Sequence, residues 1–359
     1  MKKLILFLKK SGFIVNAFFA ASLLLAYIAR LVPPDVFWPL SLFGLSYPFL
    51  LVFNIFFLVF WLIQRSRNFL LSFLIILLGM GQLNSFVQFK AHKKDKGNGI
   101  KILTYNVNYF SYNKKNKSNN SDHLIDYLRK SSSDIICLQE VSLAQSGKLS
   151  AKGLQEVLPN IRYYHLAHSV WFGGPITFSR YPIVNYGEIR FANTSNMVLF
   201  SDIRINESQT IRVYNCHFQS FQIKPDDYTI IETPTSGSNK TKLKEVFQLG
   251  HKLVTAFTIR AVQARTVSKH IKSCPYPVVI CGDFNDTPWS YTYHTLIDNL
   301  KDSFVESGFG ISNTYNGKLP SFRIDYLLHS KAYRSFSYKR DRVPFSDHYP
   351  VSCILQKAN

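Results

Sequence analysis

Acidic side chains are nearly missing from the first 98 residues of this 359-residue chain, where only Asp35 and Asp95 stand against eleven lysines and arginines. Charge of either sign is missing altogether from Ser11 to Ala29, from Val36 to Gln64 and from Asn68 to Phe89. A helix needs about 20 predominantly apolar residues to cross a bilayer, and each run supplies them. No small-residue cleavage site is evident and two further runs follow the first, so a removed signal peptide is set aside. Paired cysteine spacing is also missing. Cys137, Cys216, Cys281 and Cys353 lie in apolar, strand-like runs and Cys274 just before one. That excludes a zinc ribbon or a disulfide framework and leaves small buried hydrophobes. No internal repeat stands out.

The sequence therefore predicts three transmembrane helices, at about residues 11–32, 37–63 and 68–89, within a membrane region spanning 1–89. Pro33-Pro34-Asp35 and Gln64-Arg65-Ser66-Arg67 separate them. Asn16, Asn54 and Asn84 are expected to help these helices pack. Residues 90–99 are polar and Lys-rich and read as a linker, and residues 100–359 form one large domain. Lys2, Lys3, Lys9 and Lys10 before the first span, with Arg65 and Arg67 after the second, place both segments in the cytoplasm. The large domain then lies outside a multi-pass cell-membrane protein. Lys90, Lys93, Lys94 and Lys96 pull the other way, but the first helix usually dominates.

In the large domain, strands are expected at Ile100–Val107, Ile135–Leu138, Tyr163–Ala167, Ile176–Ser179, Met197–Ile205, Ile211–Cys216, Pro277–Cys281, Ile324–Leu328 and Val351–Leu355. Helical spacing runs over Asp122–Lys130 and Lys242–Lys272, the latter with a face of Val246, Leu249, Leu253, Phe257, Val262 and Val267. Asn113–Ser121 reads as a surface loop. Strands greatly outnumber helices, which favours two packed sheets with helices outside.

Six islands place an acid, amide or imidazole at strand ends. They are Thr104-Tyr105-Asn106, Gln139-Glu140, Asn215-Cys216-His217, Gly282-Asp283-Phe284-Asn285, Arg323-Ile324-Asp325 and Ser346-Asp347-His348. Each has an ordinary reading. Gly, Asp and Asn form turns, a lone Glu after a strand is usually solvated, and a lone His is usually a satisfied surface or core residue. Together they make a carboxylate-rich rim with two imidazoles, which metal-assisted cleavage of a phosphate ester requires. Glu140 offers the hard oxygen that Mg2+ prefers, and Asn106 could orient it or ligate through its amide oxygen. Asp325, buried between Ile324 and Tyr326, needs a partner, which is a histidine or Arg323. The other histidines, including His123, His165, His168, His251, His270, His294 and His329, are structural by default.

Read in order, the islands resemble the endonuclease/exonuclease/phosphatase superfamily, and the chain resembles a membrane-anchored, bacterial-type member. That superfamily includes deoxyribonuclease I, apurinic endonucleases, neutral sphingomyelinases and inositol polyphosphate 5-phosphatases. The resemblance runs from about Lys101 to Gln356, and the block from Gly173 to Ile183 adds to it. It implies a four-layered α/β sandwich of two packed β-sheets flanked by helices, and a Mg2+-dependent hydrolase, with Mn2+ as the alternative ion. It implies Glu140 as the main metal ligand, supported by Asn106 and Asp347. His348 is implied as the catalytic imidazole, oriented by Asp325, and Asp283 as the residue that positions or deprotonates the attacking water. Asn285, His217 and Asn106 are implied to hold the phosphate, with His217 also stabilising developing charge.

The domain's formal charge of +11 suits a polyanion, or a place beside an anionic membrane surface. The expected partners are the lipid bilayer and a phosphodiester substrate, nucleic acid or a phospholipid headgroup; no protein partner is inferred. Nucleic acid stands slightly ahead. A phospholipid, sphingomyelin or inositol phosphate ester is the alternative, and a non-catalytic membrane binding module is the alternative of another class. Trp171 and Phe172 could insert into lipid, stack on bases or simply be core. The polar segment Gln219–Thr241 falls where substrate-selective insertions occur in such proteins. No signature specific to inositol phosphatases or to abasic sites is present.

Overall fold

A computed structural model describes residues 2–89, 97, 99–110, 117–168, 173–223, 239–317 and 321–358. The first part is helical: α1 (Lys2–Ala29), α2 (Pro34–Phe37), α3 (Pro39–Leu45), α4 (Tyr47–Ile63) and α5 (Phe69–Leu83). The expectation of three spans is corrected here. Among the described residues, only Phe7–Ala29 forms a helix long and apolar enough to cross a membrane by itself. The second run is bent by 64° between α3 and α4, so that pair makes at most one more. Its break has a local cause: Pro48 has no N–H to continue the ladder of α3, but is tolerated in the first turn of a new helix. The third run yields a 15-residue helix, about 22 Å long against a hydrocarbon core of roughly 30 Å.

Inside the helical unit, polar contacts accompany an apolar cluster that includes Leu23, Ala26, Tyr47 and Leu50. Asn16 Nδ2 donates to Ser72 Oγ at 2.7 Å, Trp61 Nε1 donates to Asn16 Oδ1 at 3.0 Å, and Asn54 Nδ2 donates to the Phe19 carbonyl at 3.0 Å. Its outer faces carry exposed Phe18, Val52, Phe56, Leu74 and Leu78. Asn84 lies just past the end of α5, where its carbonyl accepts from Gln88.

The strands are β1 (Val87–Gln88), β2 (Ile100–Asn106), β3 (Ile135–Val141), β4 (Tyr163–Leu166), β5 (Gly174–Ser179), β6 (Ile183–Arg190), β7 (Met197–Asn206), β8 (Gln209–His217), β9 (Val278–Asp283), β10 (Leu300–Asp302), β11 (Gly310–Ile311), β12 (Asp325–Ser330), β13 (Tyr333–Arg340) and β14 (Val351–Lys357). Two six-stranded sheets run in the orders β13-β14-β2-β3-β5-β4 and β10-β12-β9-β8-β7-β6, and β1 pairs with β11. Among the described residues, only β2–β3 and β8–β9 pair parallel within the sheets.

Ile102, Cys137, Val213, Val279, Leu327 and Val351 interdigitate between the sheets. Helices α6 (Lys117–Ser131) and α7 (Ala151–Val157) cover the first sheet through Leu124, Leu128 and Leu154. Helices α8 (Asn239–Lys272) and α9 (Tyr291–Ile297) cover the second through Ala264, Val267, Tyr293 and Leu296, and α10 (Ser303–Ser307) seats Phe304 between the sheets. The result is the four-layered sandwich expected from the resemblance.

Some details differ. Residues 117–121, expected in a loop, open α6; residues 113–116, Trp171, Phe172 and nearly all of the 90–99 linker lie outside the described residues. The proposed single face of α8 divides: Phe257 and Val267 are buried, whereas Val246 and Val262 are exposed. Four of the cysteines are buried and free, and Cys274 is half-buried and free.

The helical unit is docked on the sandwich. Trp289, just after β9, packs with Leu23, Ala26, Tyr27, Tyr47 and Leu50, and Arg265 of α8 forms a bidentate ion pair with Asp35 at 2.6 and 2.9 Å.

Candidate active site

The two parallel pairs explain why the islands meet. Parallel strands end at the same edge, so β2 and β3 deliver Asn106 and Glu140 together, and β8 and β9 deliver His217 and Asp283 in register. Strand β12 runs the other way, so Asp325, at its start, lies opposite Asp283. Beneath this rim, Gln139 Nε2 donates to Asn215 Oδ1 at 2.7 Å, and Asn215 Nδ2 donates to the Ile176 carbonyl at 3.0 Å. Those bonds tie one sheet to the other.

Backbone conformation aims the side chains. Glu140 has φ 53° at a bulge between Leu138 and Val141, and Asn285 has φ 52°. Both are left-handed, a cost that recurs where function constrains the chain. Gly282, at φ 127°, lies so close to β8 that an added Cβ would be 2.0 Å from the Cys216 carbonyl oxygen.

Asn106 Nδ2 donates to Glu140 Oε1 at 3.1 Å and to Asp283 Oδ2 at 3.0 Å, while its Oδ1 accepts from the Asn108 amide. His217 Nε2 lies 3.2 Å from Glu140 Oε1. Asp283 also accepts from Asn285, at Oδ1 from the backbone N–H at 2.8 Å and at Oδ2 from Nδ2 at 3.1 Å. Asn285 Nδ2 reaches the Phe218 carbonyl as well. His348 Nδ1 is 2.9 Å from Asp325 Oδ2, and its Nε2 is 3.7 Å from Asp283 Oδ2. Arg323, the other candidate partner for Asp325, instead pairs with Asp302 at 2.7 Å. Asp347 Oδ1 accepts from Asn108 Nδ2 at 2.7 Å.

Burial works to raise the Glu140 carboxyl, but His217 and Asn106 outweigh it and hold it at about 2. Asp283 is pushed up to about 6, first by burial and then by the charge of Asp325, against His348 and His217. Burial disfavours the proton on His348, yet Asp325 and Asp283 keep that imidazole well above its ordinary value. His217 is raised by Glu140 in the same contest with burial. The site thus holds two carboxylates of unlike basicity beside two imidazoles whose protonated forms their carboxylate neighbours favour.

Glu140, Asp283, Asn285, Asp347 and His348 line a cavity of about 450 Å³, and Asn106, His217 and Asp325 support it from outside that lining. Ligand atoms of Glu140, His217 and Asp283 lie within 4.8 Å of one another, as do those of Asp283, Asp325 and His348. All eight sequence-derived candidates are therefore brought together. Sequence reasoning missed Asn108, although its position two residues after Asn106 was a signal. It missed Thr314, whose hydroxyl accepts from the Ile324 and Asp325 amides, and Tyr315, whose ring meets His348 edge-on. It also missed Leu45, Ser46 and Phe49, which line the same cavity and were indistinguishable within an apolar run.

Residues 103–348 match the model described as Endonuclease/Exonuclease/phosphatase family. The chain belongs to that family. Its members are hydrolases of phosphoester bonds that generally depend on a divalent metal, and the two ligand groups above are where such an ion could bind. Residues 3–86 match a second model, described as a domain of unknown function. A Drosophila melanogaster protein named "Putative neutral sphingomyelinase" is 32% identical over 296 residues, covering 72% of this chain and 60% of that protein. The chain thus spans about 60% of that relative's length. Among solved family structures, the protein from Beutenbergia cavernae is 18% identical, covers 72% of each chain and has a TM-score of 0.52. The human Nocturnin catalytic domain, solved with a bound sulfate anion, is 16% identical, with 72% of this chain and 95% of that chain covered and a TM-score of 0.51. These likenesses show the shared fold.

Proposed function

We propose that this family member is a metal-dependent phosphodiesterase that removes the headgroup from a membrane phospholipid or sphingolipid. The observation that carries the reading is the composition of the cavity. Its lining combines the carboxylates and His348 with an apolar set of Leu45, Phe49, Phe221, Ile223, Leu249, Leu253, Phe322 and Ile324. Among the described residues it has no lysine or arginine, although the chain carries a formal +20. A nucleic-acid groove tracks its phosphates with basic side chains. An amphiphile with one phosphodiester and hydrocarbon chains suits these walls better, so lipid replaces nucleic acid as the first choice. The name of the Drosophila relative points the same way.

The helical unit supports a lipid setting. Some of its polar groups pair internally and its outer faces are apolar, and an exposed apolar surface of this kind marks a membrane contact. We place α1 across the bilayer and the catalytic domain outside the cytoplasm, following the basic residues before α1. A cysteine introduced at Glu207, in the β7–β8 turn, should react with an impermeant maleimide on whole cells. Protection until lysis would reverse the orientation.

The donor set fits a hard divalent ion. Glu140 and Asp283, with His217 beside them, would hold Mg2+ or Mn2+, which when bound neutralises charge on the phosphate. Asp347, held by Asn108, is a further oxygen at the same cavity. Asp283 is placed to orient a water and take its proton at a carboxylate oxygen. His348, kept protonated by Asp325, presents Nε2–H to the phosphate or the departing oxygen. Asn285 and His217 bind phosphate oxygens, and Asn106 bridges the two carboxylates through one amide nitrogen. Water then adds to phosphorus as the ester P–O bond breaks, and the departing alkoxide leaves protonated.

The test uses the full chain in lipid nanodiscs, with Mg2+ or EDTA. It is offered sphingomyelin, phosphatidylcholine, plasmid DNA, RNA and bis-p-nitrophenyl phosphate, with Glu140→Ala as control. Metal-dependent lipid turnover lost in Glu140→Ala is expected. Cleavage of DNA or RNA without lipid turnover would reject the substrate class. Silence on every substrate by folded protein would reject catalysis and favour a binding module.

A further inference from the structure

The helical unit enters the active site itself. Leu45 and Ser46 end α3, Phe49 lies in the first turn of α4, and all three line the cavity that holds Glu140, Asp283 and His348. The 64° bend between α3 and α4 turns this elbow towards the catalytic residues. Its position is set by packing. Tyr47 stacks on Trp289 with centroids 3.9 Å apart and planes 13° apart, and Trp289 belongs to the loop that carries Asn285. A Cβ added at Gly44 would lie 3.2 Å from the Trp289 carbonyl oxygen, so the two backbones are nearly in contact. The Asp35–Arg265 pair fixes the same unit to α8, which contributes Leu249 and Leu253 to the same cavity.

The apolar wall does not stop at the cavity. Phe49 is 51% exposed, and Phe53, Phe56 and Phe60 follow it at helical spacing, at 46, 58 and 37% exposure. This row leads from the cavity along α4 to the outer face of the helical unit.

We infer that the α3–α4 elbow, through Leu45 and Phe49, seats a hydrocarbon chain of the substrate, and that the row along α4 guides that chain from the bilayer. The inference rests on the lipid reading above. It gives residues 3–86 a part in substrate selection besides attachment. A chain lying against Leu45, Phe49, Leu249 and Leu253 brings its phosphodiester to the carboxylates, because Glu140, Asp283 and Asp347 line the same cavity. Each methylene seated there strengthens binding of the reacting complex by about fourfold until the wall is filled.

The test is a homologous series of phosphodiester lipids, each below its micelle concentration, hydrolysed by the full-length chain in detergent. In the wild type, kcat/KM should climb with each methylene and then level off. In Phe49→Ala, and more so with Leu45→Ala added, the climb should flatten. The longest lipid should lose about tenfold or more, carried by KM, and Phe49→Leu should restore most of it. Phe49 is half exposed, so its truncation removes little packing, and melting curves check this. An equal loss at every chain length, or a loss carried by kcat, overturns the inference while leaving the lipid reading standing. Wild-type protein that cleaves bis-p-nitrophenyl phosphate but no lipid of any length overturns the lipid reading and the inference with it.

Discussion

Asp325 is a buried carboxylate whose Oδ2 meets His348 Nδ1 at 2.9 Å, while Oδ1 has no hydrogen-bond partner among the described residues. A charge in that position is costly unless it is paired, so its worth lies in what it does to His348. Asp325→Asn should keep the fold, lower kcat by on the order of 10²–10⁴ and leave KM nearly unchanged. The His348 imidazole, followed by NMR, should titrate at lower pH. A variant with normal kcat would show that His348 needs no orienting carboxylate. The sequence revealed Asp325 as anomalous because it interrupts an apolar strand. It left the partner open, since only the packed sheets show Arg323 turned to Asp302 and His348 turned to Asp325. His165 illustrates the opposite case, a histidine read as structural by default. Buried, with Nδ1 3.0 Å from Ser201 Oγ, it is pushed down to about 4 from 6.5. The folded chain keeps it neutral while the unfolded chain protonates it below 6.5, so unfolding takes up a proton between pH 6.5 and 4. Stability should fall as pH drops through that window. Denaturant titrations of His165→Gln should show a slope shallower by up to about 1.4 kcal/mol per pH unit. An unchanged slope would mean that His165 is protonated in the fold.

Strand order accounts for the rim, and one glycine allows the β8–β9 pairing at its end. Gly282→Ala would force a Cβ to within 2.0 Å of the Cys216 carbonyl oxygen at a φ of 127°. The strands must part, moving His217 from Asp283. A loss of at least about 2 kcal/mol is expected in denaturant melts, together with loss of activity. Normal stability would mean that β9 can shift without cost. The buried strands were legible because both their faces are covered, which leaves short continuous apolar runs such as Ile135–Leu138 and Val278–Cys281. The missed strands β6 and β13 have the opposite character. Asn185 and Tyr186 are exposed in β6, Arg334 and Lys339 in β13, and each strand lies at a sheet edge. Edge strands with polar outer faces carry little periodic signal. The helix break at Ser46 was missed for a related reason. An uncharged run of adequate length reads as one span, and Pro48 is a weak stop signal when it can sit in a new first turn.

The largest departure from sequence expectation concerns how the two halves of the chain relate. Composition separated an apolar part from a charged part and suggested a tether. Their contacts were not legible, because Trp289, Asp35 and Arg265 meet only in three dimensions. Trp289 is 1% exposed and stacks on Tyr47, with Tyr27 5.6 Å and Phe86 6.0 Å away. Arg265 and Asp35 form a partly exposed pair. Magnitude separates the two contributions: truncating a buried aromatic costs about 3–5 kcal/mol, whereas an exposed ion pair is worth less than about 1 kcal/mol. Trp289→Ala should therefore uncouple the helical unit from the sandwich, and Arg265→Ala should not. Calorimetry of the full chain in detergent should show one transition for wild type and for Arg265→Ala. It should show two for Trp289→Ala, with the sandwich melting first. If the elbow seats the substrate chain, Trp289→Ala should also raise KM for long-chain lipid, because Leu45 and Phe49 lose their fixed distance from Asp283. A single transition with unchanged KM would mean that the apolar contacts of Leu23, Ala26 and Leu50 hold the unit in place without the indole.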